Sequence, residues 1–209
     1  MGRTALSAED HAAFRRSMRE VATKRFAKHG HAGVTMRALA EDLGCSPMTP
    51  YRYFRDKDEI LDEVRLAAIE AFVVAQERAF ARERAPLRRL RTMARAYVAY
   101  AVDHPDQYRV MFQVEYQADR PPTPEHVALQ LRGWKPMRDT FAEAIERGEL
   151  AGDPDEVAHI CWASLHGLVT LHLAGKLRLG RALDSLVDPV IDHLIAGAAS
   201  NSRPKQRHR

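Results

Sequence analysis

Nine stretches of this chain repeat apolar residues at helical spacing, separated by Gly, Pro and capping residues. Ser7 caps the first, with Glu9 and Asp10 in the favourable first turn. Phe14, Met18, Val21, Ala22 and Phe26 then make one stripe up to His29 and Gly30, a stop signal. Thr35 caps the second, where Met36, Leu39, Ala40 and Leu43 precede Gly44. Ser46 caps the third, and Pro47 takes its first position, where the missing N–H costs nothing. Asp56 caps the fourth with Glu59 closing a capping box; Ile60, Leu61, Val64, Ala67, Ala68, Ala71, Phe72 and Ala75 carry it to about residue 83.

Five further helices follow. Residues 86–103 turn Leu87, Leu90, Met93, Tyr97, Val98 and Tyr100 inward until His104 and Pro105 break the pattern. Residues 106–115 form a short helix with Tyr108, Met111 and Phe112, and the Pro-rich stretch 117–124 reads as a loop. Residues 125–148 place Leu131, Trp134, Met137, Phe141 and Ile145 on one face, with a kink expected before Pro136. Asp153 and Pro154 open the eighth helix, and residues 182–198 make the ninth. In the eighth, Val157, Ile160, Cys161, Trp162, Leu165, Leu168, Val169, Leu171 and Leu173 nearly encircle the axis, so it must be covered on more than one side. The ninth carries Leu183, Leu186, Val187, Val190, Leu194 and Ile195 as a broad stripe. In a chain of 209 residues, such helices are best explained by pairing with their copies across a two-fold axis, through Leu165, Leu168, Leu183, Leu186, Val187, Val190 and Leu194.

The second and third helices, joined by a short Gly turn, have the spacing of a helix-turn-helix at about residues 35–54. The first helix would pack across them to complete a three-helix head. Their polar residues suit duplex DNA: Thr35, Arg37, Ser46, Tyr51, Tyr53 and Lys57 for phosphates, and Pro47, Met48, Thr49 and Arg52 for base edges. A solvated αα-hairpin would show the same spacing.

Charge separates the two readings. Residues 11–57 hold ten Lys/Arg against four Asp/Glu, and residues 201–209 add +4, which leaves −6 for everything else in a chain of net charge +4. A basic head on an acidic body is the footprint of a nucleic-acid binder. Most of Arg15, Arg16, Arg19, Lys24, Arg25 and Lys28 on the first helix read as solvated. Cys45 and Cys161 are too far apart for CxxC chemistry. The start of the chain lacks a signal-peptide core, and the run 160–175 is too short to span a bilayer, so a cytoplasmic protein without a membrane partner is expected.

The run from Phe14 to about Phe72 resembles the DNA-binding domain of the TetR family of bacterial one-component transcription regulators. Thr35, Gly44, Ser46, Thr49, Tyr51, Tyr53, Phe54 and Lys57 stand where that family's pattern has them. Two departures matter. Met48 stands where many members carry Gly, and Pro50 where many carry Leu; Pro50 lacks an N–H and crowds the Ser46 carbonyl, which should disturb the third helix. Trp162, His166 and Gly167 resemble the Trp-x-x-x-His-Gly signature of the WHG class of TetR C-terminal domains. His104, Pro105, Tyr108, Met111 and Phe112 resemble the matching His-Pro-x-x-Tyr-x-x-Met-Phe segment, so the likeness covers most of residues 14–198. It implies a small-molecule effector in the body. The candidate lining is Tyr97, Tyr100, Tyr108, Met111, Phe112, Trp134, Phe141, Trp162 and His166, all of which also read as ordinary core; Tyr116 and Met137 belong to the same aromatic and sulfur set.

Enzyme readings find little support. Glu156 and His159 make one Glu-x-x-His pair, but a carboxylate-bridged di-iron site needs a second pair and two more glutamates. Walker, Gly-x-Gly-x-x-Gly, Gly-x-Ser-x-Gly and His-Glu-x-x-His motifs are absent. The expectation is therefore an all-α fold of about nine helices: an N-terminal three-helix helix-turn-helix DNA-binding domain at 7–56, a larger helical effector-binding and dimerisation domain at 57–198, and a basic disordered tail at 199–209. Its function would be that of a non-enzymatic, ligand-responsive repressor, a homodimer on a two-fold-symmetric double-stranded operator, with no cofactor and no metal. The alternative is a helical ligand carrier or a carboxylate/His metal enzyme that ignores DNA.

Overall fold

A computed structural model describes residues 7–114, 121–178 and 180–199. The expected loop around 117–120, Tyr116 and the basic tail from residue 200 lie outside the described residues. Eight α-helices and one 3-10 turn account for the fold, with no β-strand among the described residues. The helices are α1 (Ala8–His29), α2 (Met36–Asp42), α3 (Lys57–Ala81), α4 (Pro86–Asp103), α5 (Pro105–Phe112), α6 (Pro124–Glu146), α7 (Pro154–Leu173) and α8 (Asp184–Ala198).

The caps explain most of the boundaries. Ser7 accepts from the Asp10 amide while the Asp10 carboxylate takes the Ser7 N–H, a closed capping box. The same Ser7 bonds hold the Asp10 carboxyl below the usual carboxylate range. Thr35 Oγ1 accepts from the Ala38 amide at 3.2 Å. Asp56 Oδ1 accepts from the Glu59 amide at 2.8 Å, and the Glu59 carboxylate takes the Arg55 N–H rather than that of Asp56. Asp153 Oδ1 accepts from both Asp155 and Glu156 amides ahead of Pro154. At the end of α2 the chain turns through Gly44 at φ +67°, a conformation that costs other residues dearly.

The third expected helix is not an α-helix. Pro50–Arg52 is a 3-10 turn, and the residues before it close a tighter turn in which the Thr49 N–H bonds the Ser46 carbonyl at 2.8 Å. An α-helix from Ser46 would need an N–H at Pro50 to bond that carbonyl. Pro50 has none, so the segment tightens to three-residue closures: Arg52 to Thr49 and Tyr53 to Pro50.

The described residues fall into two compact units, one from the residues up to Ala71 with His104–Leu129, the other from Phe72–Asp103 with the residues from Gln130 onward. In the first unit Met18, Ala22 and Phe26 of α1, Val34, Met36 and Leu39 around α2, Tyr53 and Phe54, and Ile60, Leu61 and Val64 of α3 form one buried cluster. Val110 and Val114 join it, which is why α5 packs on α1 although it lies far along the chain. Arg65 is buried here and donates to the Val114 carbonyl.

In the second unit α4, α7 and α8 pack against one another around Leu90, Met93, Ala94, Tyr97, Leu165, Leu168, Val169 and Ile191. Two ion pairs, Arg91 with Asp192 and Arg95 with Asp188, tie α4 to α8 at the surface. Helix α6 continues through Pro136, and one turn earlier Gly133 lies so close to α3 that an added Cβ would sit 2.9 Å from Val73 Cγ2. Leu131 departs from the expected inward stripe and is 61% exposed.

Candidate nucleic-acid interface

Helix α2 and the 3-10 turn are both fixed to α1 by arginines. Arg25 grips Asp42 with two hydrogen bonds, 2.5 and 2.8 Å, and this pairing holds the Asp42 carboxyl below its usual range. Arg15 lies over the Phe54 ring at 4.3 Å, donates to the Tyr53 carbonyl and pairs with Glu59 and Glu63 of α3. One guanidinium thus ties α1 to the end of the 3-10 turn and the start of α3. Sequence reading placed Arg15 on a solvated basic face. The signal that could have found it is the Glu59 and Glu63 pair, four residues apart on α3 and so side by side.

Lys57 is similarly placed. Its ammonium donates to the carbonyls of His31 (2.9 Å) and Val34 (3.0 Å), and His31 pairs with the neighbouring Asp58. Two of its three N–H groups therefore anchor α3 to the loop before α2. Tyr53, expected among the phosphate contacts, is only 8% exposed; its ring stacks on Phe14 at 3.9 Å and leans on His11 at 4.9 Å. Its partner in sequence, Tyr51, is 51% exposed. Because the segment turns with three residues per revolution, Tyr53 falls beneath Pro50 on the core side while Tyr51 points outward.

The remaining candidates are mostly at the surface. Thr35, Arg37, Ser46, Pro47, Met48 and Arg52 are exposed, Thr49 is half-buried, and Met48 reaches 68% exposure. Arg37 and Arg52 make no ion pair among the described residues. The head thus exposes hydroxyl, phenol, apolar and cationic groups above a packed core. Such groups can donate to phosphates and meet base edges.

Profiles of known families match both parts of the chain. Residues 19–64 match the family described as "Bacterial regulatory proteins, tetR family", and residues 90–194, half of the chain, match "Tetracyclin repressor-like, C-terminal domain". The chain belongs to the TetR family. It is accordingly a DNA-binding transcription regulator with a helix-turn-helix head, and the second match spans both the His104–Phe112 and the Trp162–Gly167 segments.

Solved structures agree on the fold. A Rhodococcus sp. RHA1 protein of unknown function is 27% identical, with a TM-score of 0.75, covering 88% of this chain and 95% of that one. A TetR family regulator from Marinobacter aquaeolei VT8 is 19% identical with a TM-score of 0.75, covering 93% and 100%. The Bacillus subtilis transcriptional regulator FadR in complex with stearoyl-CoA is 16% identical with a TM-score of 0.73, covering 87% and 98%. No curated protein is significantly similar in sequence.

The expected effector lining divides between the units. Tyr108, Met111 and Phe112 lie in the first, where Tyr108 is fully buried against Phe112 at 4.8 Å. The second unit of this TetR regulator holds a chain of rings: Trp134 to Trp162 at 6.3 Å, Trp162 to His166 at 6.0 Å, and His166 Nδ1 to the Tyr97 hydroxyl at 3.4 Å. Phe72 then meets both Tyr97 and Tyr100 edge-on, and Phe141 is buried. Burial pushes the His166 imidazole below its ordinary pKa and the Tyr100 phenol up to about 12, so both are neutral near pH 7. The Thr170 hydroxyl, one turn beyond His166, is buried with no hydrogen-bond partner among the described residues.

Of the expected dimer contacts, Leu165, Leu168 and Leu183 are buried within a single chain, so they are not available to a second one. Periodicity told that α7 is apolar all round, not which arc its own chain covers. The exposed arc is Ile160 (49%), Ala163 and Leu171 (46%), with Gly167 half-buried between them. On α8, Leu186, Val187, Val190 and Leu194 are half-buried. Glu156 and His159 sit at the surface of α7, and no group of three or more metal-capable side chains stands together among the described residues.

Proposed function

We propose that this regulator is a cytoplasmic homodimeric repressor that binds a two-fold-symmetric operator and is released by a small, uncharged, largely apolar effector. The observation that carries the reading is the exposure of Thr35, Arg37, Pro47, Met48, Tyr51 and Arg52 on a head in which Arg15, Arg25 and Lys57 are turned to internal struts. Thr35, Arg37, Ser46 and Tyr51 hold phosphates; Pro47, Met48, Thr49 and Arg52 face bases; Tyr53, Lys57 and Arg15 position them.

Dimerisation is supported by the apolar arc Ile160, Ala163, Gly167 and Leu171, which one chain leaves uncovered and which a two-fold axis would cover with its own copy. Two heads would then meet half-sites about 34–36 Å apart or a multiple of that. The residues at 57–198 carry both this contact and the effector site.

The interior of the second unit supports a neutral effector. Among its described residues the buried polar side chains are Gln76 and Thr140, and the neutral His166, Tyr97 and Thr170 groups are suited to one or two hydrogen bonds rather than to a charge. By contrast the FadR structure holds an acyl-CoA, as its description states. Helix α3 supplies residues to both units and is the natural carrier of coupling. A coupling of about 1–3 kcal/mol would lower DNA affinity roughly 5- to 150-fold. The test is to sequence the fragments that the purified protein retains from its own genome. Enrichment of sites with inverted symmetry supports the reading, and uniform coverage contradicts it.

A further inference from the structure

We infer that the tip of the recognition segment selects its operator through thymine methyl groups, with Met48 as the residue that determines this preference. The inference rests on the DNA-binding reading above and names what that surface recognises. Its basis is the chemistry left at the tip once Pro50 has tightened the turn.

Major-groove edges distinguish base pairs by hydrogen-bond acceptors, hydrogen-bond donors and the thymine C5 methyl. Apart from the exposed Arg52, the tip has little with which to answer the first two. Pro47 has no N–H, and the Thr49 N–H is bonded to the Ser46 carbonyl at 2.8 Å. The Met48 N–H faces the Ser46 hydroxyl at 3.5 Å, at the limit of a hydrogen bond. Thr49 is half-buried, which restricts its hydroxyl. What projects furthest is the Met48 side chain, at 68% the most exposed of the large hydrophobic residues described, with the exposed Pro47 ring beside it.

A large apolar side chain left 68% exposed is costly in water. On a polar backbone ruled by phosphates it has no use, because phosphates are met by the exposed Thr35, Arg37, Ser46 and Tyr51. In the major groove its apolar counterpart is the thymine C5 methyl, one in each A·T pair and none in a G·C pair. Methionine suits it: three rotatable bonds and a polarisable sulfur let it seat against a methyl without demanding one fixed orientation. Two heads would place one Met48 in each half-site, so the preferred thymines would recur with the operator's symmetry.

The experiment replaces thymidine by deoxyuridine, which removes the methyl and leaves every hydrogen-bonding group in place. Preferred duplexes are first selected from a random pool with the full-length protein. Each thymine of the best duplex is then changed to uracil in turn, and affinity is measured for the wild type and for Met48→Ala. Met48 is 68% exposed, so its truncation should leave the fold intact. The expected result is that one or two positions per half-site weaken wild-type binding about 3- to 5-fold each, as loss of a buried methyl should, while Met48→Ala binds the two duplexes equally. Wild-type affinity that ignores every substitution overturns the inference and leaves the DNA-binding reading standing, as does a loss that persists in Met48→Ala. A pool in which no sequence is enriched overturns both.

Discussion

Tyr51 and Tyr53 lie two residues apart and should fail in opposite ways. Tyr53 is 8% exposed, stacked on Phe14 and bounded by His11, and its carbonyl is the acceptor for Arg15. Truncating a buried aromatic to alanine costs about 3–5 kcal/mol, and the ring pair with Phe14 lies within the ~0.5–1.5 kcal/mol range of such contacts. For a chain of this size that corresponds to a fall in Tm of roughly 6–20 °C at about 2–4 °C per kcal/mol. Tyr51 is half out in solvent, so Tyr51→Ala should change stability by no more than about 0.5 kcal/mol. It should instead remove one phosphate hydrogen bond in each head, about 1 kcal/mol or fivefold in affinity apiece. Thermal melts followed by circular dichroism, together with fluorescence anisotropy on a selected duplex, separate the two. A Tyr53→Ala protein as stable as the wild type, or a Tyr51→Ala protein that melts early and binds normally, would refute the division between core and surface.

Four other outcomes follow from the same geometry. Arg37→Ala should reduce the slope of log affinity against log salt by about 0.9 per head for each lost phosphate contact, at every sequence alike; an unchanged slope places Arg37 away from the backbone. Arg15→Met should lower stability by about 1–3 kcal/mol, since Glu59, Glu63 and the Tyr53 carbonyl lose a charged donor together, and urea titration reads this directly. Ile160→Asp with Leu171→Asp should give a folded monomer by sedimentation, because both residues are exposed in the single chain; a persistent dimer moves the interface elsewhere. Stability should also fall as pH drops below about 6.5. Burial pushes the His126 imidazole down, Arg65 adds to this, and Asp62 and Glu125 oppose it. With its folded pKa below the unfolded one, the unfolded chain takes up more protons on acidification, so stability is lost toward low pH. Tm measured from pH 7 to pH 5 should fall less steeply in His126→Gln.

Much of the architecture was legible from caps and stripes. Ser7, Thr35, Asp56 and Asp153 are local signals, and each caps the helix it was expected to cap, because a cap needs only the next three residues. The effect of Pro50 was legible for the same reason, in direction though not in extent: a single missing N–H turned the recognition helix into a 3-10 turn. Non-local facts were not legible. Whether Tyr53 or Tyr51 faces the core depends on that turn's period, and Leu131 reads as inward until the packing around α6 is known. The roles of Arg15 and Lys57 needed partners more than twenty residues away. Leu165 and Leu168 are apolar on an apolar helix, and no spacing rule says which arc of such a helix its own chain will cover.

The most direct measurement is the stoichiometry and symmetry of binding on a duplex selected by the protein itself. Mass photometry or sedimentation of the complex at 150 mM salt should show two chains per inverted repeat, and destroying one half-site should cost most of the affinity. Binding of a single chain with equal affinity to intact and half-destroyed sites, or no preference over random duplex, would contradict the account.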